Sequence, residues 1–173
     1  MYAYCLFCLT QRCGIIARLL EIRGVDRAFS PQIIQRQRKA GANAKKNHDL
    51  LPGYVFIYNE ERLTDYRLFY GMDGVVRRVG RTEHGYELEG ADLDFAMQLL
   101  DKDGVVGSMN LCREGDDVVL DEPLFRGVQG KVTKIDFRKE RARVDFVFEK
   151  NPCHVWVSID NVKSLTKPEE ERK

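Results

Sequence analysis

The sequence offers little from which to build a covalent or catalytic centre. Its five cysteines, Cys5, Cys8, Cys13, Cys112 and Cys153, are odd in number and irregularly spaced, which argues against a disulfide framework and leaves reduced thiols as the expectation. Cys5 and Cys8 have CxxC spacing, but they sit in the apolar run from Tyr4 to Leu9, where strand residues three apart point to opposite faces. With no second Cys or His pair close by to complete four ligands, no metal site is expected. His48, His84 and His154 are scattered, and none stands beside a Ser or Cys nucleophile and a carboxylate in a recognisable arrangement. There is no GxxxxGK[ST] loop and no GxGxxG after a strand, so neither an enzyme nor a cofactor is expected. No stretch approaches the roughly 20 apolar residues that span a bilayer. The opening Met1-Tyr2-Ala3-Tyr4 lacks a charged signal region, and a cytoplasmic protein without a membrane partner is the expectation. Charge of one sign is lacking too: 28 Lys and Arg face 27 Asp and Glu, for a net charge of +1, so any attraction to nucleic acid must come from local patches.

What is present is ample apolar material, 43% of 173 residues, enough for one ordinary domain or two small ones. The stretch Leu51-Pro52-Gly53-Tyr54-Val55-Phe56-Ile57 is the most informative. Pro52 fixes its own φ and Gly53 relaxes the next, giving a tight turn before an aromatic strand. Tyr54 and Phe56 then share one face, Val55 and Ile57 the other; either face suits a core, and the other suits a partner.

Upstream, an apolar strand at Tyr4–Cys8 precedes a helical stripe of Ile15, Ile16, Leu19, Leu20 and Ile22 that ends near Gly24. Short β-like runs at Arg27–Ser30 and Ile33–Arg38 lead into Lys39–Lys46, a small-residue basic stretch that reads as a hairpin loop. Thr64 is the expected cap of a short helix through Leu68, Phe69 and Tyr70. Gly74–Val79 reads as a strand, and a last helix would bury Leu93, Ala96, Met97 and Leu100. This order predicts an α+β sandwich, an antiparallel sheet flanked by helices, over residues 1–103. Gly104, Gly107 and Ser108 mark a linker over 104–111. Strand-like runs at Asp117–Leu120, Lys131–Asp136, Arg141–Phe148, His154–Ile159 and Val162–Leu165 then predict a small all-β barrel over 112–167, before a charged tail at 168–173. In this reading Trp156 is a core residue of the barrel.

The two blocks together resemble the NusG family of transcription elongation factors. Tyr4-Cys5-Leu6-Phe7 resembles its first strand, Leu51-Pro52-Gly53-Tyr54-Val55-Phe56 its Pro-Gly-Tyr-Val-Phe signature, and Gly74-Val75-Val76-Arg77-Arg78-Val79-Gly80 its later Gly-Val strand. Glu114–Val118, Pro123–Gly127 and Gly130-Lys131-Val132 resemble a KOW barrel. The first strand and the basic barrel hairpin are more similar to specialised antitermination paralogues of the LoaP kind. The His-Thr-Thr motif that some specialised members carry is absent at Thr64-Asp65-Tyr66-Arg67.

The resemblance implies that the amino-terminal domain docks on the clamp helices of the largest RNA polymerase subunit, with Phe7, Leu51, Tyr54 and Phe56 as the contact. It implies a monomeric, non-enzymatic factor that suppresses pausing or termination. Two basic clusters are candidates for nucleic acid. Arg36, Arg38, Lys39, Lys45 and Lys46 flank the hairpin, with Arg12 and Arg18 at the first helix, and would meet upstream or non-template DNA. Lys131, Lys134, Arg138, Lys139, Arg141 and Arg143 form a positive stripe on the barrel that would meet nascent RNA, a ribosomal protein or another Nus factor. The alternative is an RNA-binding or ribosome-associated module that works without polymerase.

Overall fold

The computed structural model describes residues 1–39, 42–80, 83, 85–115 and 117–161. In chain order its elements are β1 (Tyr2–Cys8), α1 (Cys13–Ile22), β2 (Arg27–Phe29), β3 (Gln32–Lys39), β4 (Ala42–Asp49), β5 (Tyr54–Asn59), β6 (Val75–Val79), α2 (Gly90–Asp101), β7 (Val105–Val106), β8 (Leu111–Glu114), β9 (Asp117–Leu120), β10 (Lys131–Asp136), β11 (Arg141–Phe148) and β12 (Asn151–Ser158). They divide into two compact units, one of Met1–Gln32 with Asp49–Val106, the other of Ile33–His48 with Gly107 and the described residues beyond it.

The first unit is built on an antiparallel sheet in the order β2-β5-β1-β6. Its two central strands are apolar on both faces, so each face needs a cover. On one face Tyr4, Leu6, Cys8, Val55 and Ile57 meet Cys13, Ile16, Ala17 and Leu20 of α1. On the other, the Phe56 ring lies 6.3 Å from that of Phe95 in α2, and the Tyr58 hydroxyl donates to the Ala96 carbonyl at 2.7 Å. Helix α1 ends as its glycine suggests: Gly24 takes φ +98°, its N–H donates to the Glu21 carbonyl, and the Val25 N–H reaches back to Leu20, a Schellman closure.

Several expectations change here. The buried face of α1 is Cys13, Ile16, Ala17 and Leu20, while Ile15, Leu19 and Ile22 are exposed. Helix α2 buries Phe95, Ala96 and Leu99; Leu93, Met97 and Leu100 are only partly covered. The turn at Tyr66–Phe69 is a 3-10 helix capped by Asp65, whose carboxylate accepts from the Arg67 N–H, so the cap is not Thr64.

In the second unit β3 and β4 are neighbouring strands that make an arm, and the stretch read as a loop from Ala42 to Lys46 is strand. Its small residues are poor strand formers in isolation, but pairing with β3 overrides propensity. Strands β10, β11 and β12 form one antiparallel sheet, and β8 and β9 another. Ala142, Val144, Phe146 and Phe148 of β11 are buried with Val155 and Val157 of β12, and the Phe125 and Phe146 rings meet at 5.2 Å. A Cβ on Gly130 would run into Phe125, so close packing fixes that glycine. The arm groups with these sheets through specific bonds, whereas the sequence assigned it to residues 1–103. The Gln35 amide donates to the Trp156 carbonyl at 2.6 Å, and the Arg36 N–H donates to Ser158 Oγ at 2.9 Å. The expected strand at Val162–Leu165 and the tail at 168–173 lie outside the described residues.

Candidate nucleic-acid interface

The pairing register places the charged side chains of β10–β12 in rows. Lys134 pairs with Arg143 and Arg143 with Trp156, so these three stand side by side across one face of the sheet. In the next row are Lys131, Asp145 and His154, and beyond the other side Asp136, Arg141 and Ser158. The opposite face is the apolar core, as the alternation in β11 requires. Trp156 therefore points outward and is partly exposed, with the Arg141 guanidinium 4.3 Å from its ring centre, a cation–π contact. The reading of Trp156 as core is corrected: Val155 and Val157 face inward, and a strand cannot turn three consecutive residues the same way. The period of two held the signal for its outward position, because Trp156 is in phase with the exposed His154.

Carboxylates restrain part of this charge. Arg143 pairs with Asp145 at 2.7 Å and Arg141 with Asp136 at 3.5 Å. Asp136 is held below the usual carboxylate range, first by the hydrogen bond from the Lys139 N–H and then by the charge of Arg141. Lys131, Lys134, Arg138 and Lys139 are exposed, and among the described residues no carboxylate lies in ion-pair contact with them. A groove of about 450 Å³ follows the face past Lys131, Arg143, Asp145 and His154. A cleft of about 600 Å³ lies where the arm meets the turn between β10 and β11, lined by Gln35, Arg36, Arg138, Lys139, Glu140 and Arg141 among others. Phe137, at that turn, is 51% exposed.

The remaining candidates are dispersed. Arg36 is tied to Asp160 and, at 3.8 Å, to Glu140. Lys45 and Lys46 are exposed but adjacent on β4, so they point to opposite faces. The side chains of Arg38 and Lys39 lie outside the described residues. Arg12 pairs with Asp73 in the first unit, and Arg18 is exposed on α1.

The apolar docking surface expected at Leu51, Tyr54 and Phe56 is also corrected, because these residues are 3%, 9% and 0% exposed. Tyr54 and Phe56 stand on a central strand with a helix over each face, so both sets of its side chains go into core, and Leu51 is buried in the bend before that strand. Phe7 alone keeps accessible surface; its ring meets Tyr54 edge-on at 5.1 Å, with the Arg77 guanidinium 5.5 Å from its centre.

Among the described residues no group of three or more His, Cys, Asp or Glu is placed to hold a metal ion, and no helix is long and apolar enough to cross a membrane. The architecture defines a class: an antiparallel sheet between two helices, joined to a second unit of small β-sheets. It is NusG-like. A solved structure of Thermotoga maritima NusG, described as showing domain interaction in that protein, aligns over 91% of this chain and 93% of its own, with a TM-score of 0.53 and 12% identity. No family model matches the chain, and no curated protein matches it.

Proposed function

We propose that this protein is a non-catalytic regulator of transcription elongation that binds RNA polymerase through its first unit and contacts nascent RNA through the basic face of its second. The observation that carries this reading is the NusG-like fold, aligned across nearly the whole chain. The row Lys134–Arg143–Trp156 and its neighbouring lysines support the RNA contact, because a near-neutral protein can hold a phosphate backbone only where charge is gathered locally. In the first unit, Phe7 is the accessible member of the expected docking set, and an aromatic at a protein contact buries much area at low entropy cost. We assign the protein to the specialised branch that suppresses pausing or termination; a ribosomal protein or another Nus factor is the alternative partner of the second unit. Transcription of a terminator template by purified bacterial polymerase is the test. Added protein is expected to raise read-through, and Phe7→Ala to reduce the effect; unchanged termination together with no polymerase capture would overturn the proposal.

The same basic face favours a second reading, an RNA-binding or ribosome-associated module that acts alone. Tight, salt-sensitive RNA binding with no polymerase capture would select it.

A further inference from the structure

We propose that the outer face of the β10–β11–β12 sheet is a single-stranded nucleic-acid site in which a base stacks on Trp156. The inference rests on the reading that the second unit contacts nucleic acid, and it names the substrate form and the residue that would meet the base. Trp156 is the one tryptophan of the chain. The fold places it outward on a face whose partner residues are cationic: Arg143 directly across the strand pair, Lys134 one strand further, and Arg141 against the ring. An indole with a guanidinium beside it and ammonium groups within one row is the chemistry of a stacking platform beside a phosphate track. The groove past Lys131 and His154 and the cleft past Arg138 and Lys139 continue that track toward opposite ends of the sheet.

A duplex does not suit this face. Its bases are stacked on one another and show only their edges, so an indole standing on a sheet would meet sugar and phosphate alone. A protein partner suits it less, since the core of a protein interface is depleted in charge, and this face alternates cations with carboxylates around one aromatic. The side chains supply no contact that separates ribose from deoxyribose, so the shared chemistry is an unstacked base with its phosphates, and the test compares both strands.

The single tryptophan makes the test direct. Full-length protein is titrated with a fluorescein-labelled mixed-sequence RNA 12-mer, the same sequence as DNA, and an RNA duplex, reading label anisotropy for binding and protein fluorescence for stacking. Single strands of either sugar are expected to bind and to quench the tryptophan over the same concentration range. The duplex is expected to bind more weakly and leave emission unchanged. Trp156→Leu is expected to weaken single-strand binding by about tenfold or more, while Trp156→Phe keeps most of it. Circular dichroism checks the fold of both variants; if Trp156→Leu unfolds, the quench and Trp156→Phe decide. Binding without quenching, unaltered by Trp156→Leu, would overturn the stacking site and leave the nucleic-acid contact standing. Absence of any anisotropy change at low salt would overturn that contact, and the stacking site with it.

Discussion

At Gly53 the backbone takes φ +88°, and a Cβ built there would lie 2.9 Å from both the Cys8 carbonyl oxygen and the Phe7 ring. Neither neighbour can withdraw: the Cys8 N–H donates to the Gly53 carbonyl at 2.7 Å, and Phe7 is braced by Tyr54. Gly53→Ala is therefore expected to lower stability by about 2–3 kcal/mol, from left-handed strain plus the clash, measured by urea denaturation. Close by, burial pushes the Cys8 thiol up to about 12, with the charge of Cys13 adding to it. The unfolded thiol ionises near 9, so between pH 9 and pH 12 the unfolded chain sheds a proton that the native state keeps. Stability is expected to fall as pH rises through that window. Cys13, Tyr4 and Tyr58 are raised as well, chiefly by burial, and act in the same direction, so Cys8→Ala should reduce the slope without abolishing it. Denaturation midpoints at pH 8, 9.5 and 10.5 give the comparison.

At the scale of the element, α2 shows how a correct period can be placed on the wrong face. Leu93, Ala96, Met97 and Leu100 form a helical stripe, and so do Phe95, Ala96 and Leu99; the choice between them is made by the Phe56 ring, which meets Phe95 on the sheet face that α2 covers. Phe95→Ala is expected to cost about 3–5 kcal/mol and Leu93→Ala about 1 kcal/mol or less, by thermal or urea unfolding. The strands β1, β5, β6 and β9–β11 were legible because their apolar periods and turns are local signals. The burial of Leu51, Tyr54 and Phe56 was not, since a strand apolar on both faces gives no sign of how many helices will cover it. The arm formed by β3 and β4 was half legible: β3 carries its own β-pattern, whereas β4 is strand because β3 lies beside it. The cationic stripe was legible as composition. Its arrangement in rows around Trp156 was not, because register is a property of the paired strands.

For the whole molecule, a net charge of +1 means that nucleic-acid affinity rests on few contacts and that salt will expose their number. Each phosphate neutralised on a single strand contributes about 0.7 to the slope of log affinity against log salt. Replacing Lys131 and Lys134 by Gln is expected to lower that slope by about 1.4 if each meets a phosphate, measured by anisotropy between 50 and 200 mM salt. The division into units has another consequence, for synthesis. Ile33–His48 interrupts the first unit in sequence, yet belongs with Gly107 onward. A ribosome delivers the chain from its N-terminus, so the arm leaves the exit tunnel before the strand that carries Trp156 has been translated. Until Trp156 and Ser158 emerge, Gln35 and Arg36 must wait in water for the acceptors they bond in the finished protein.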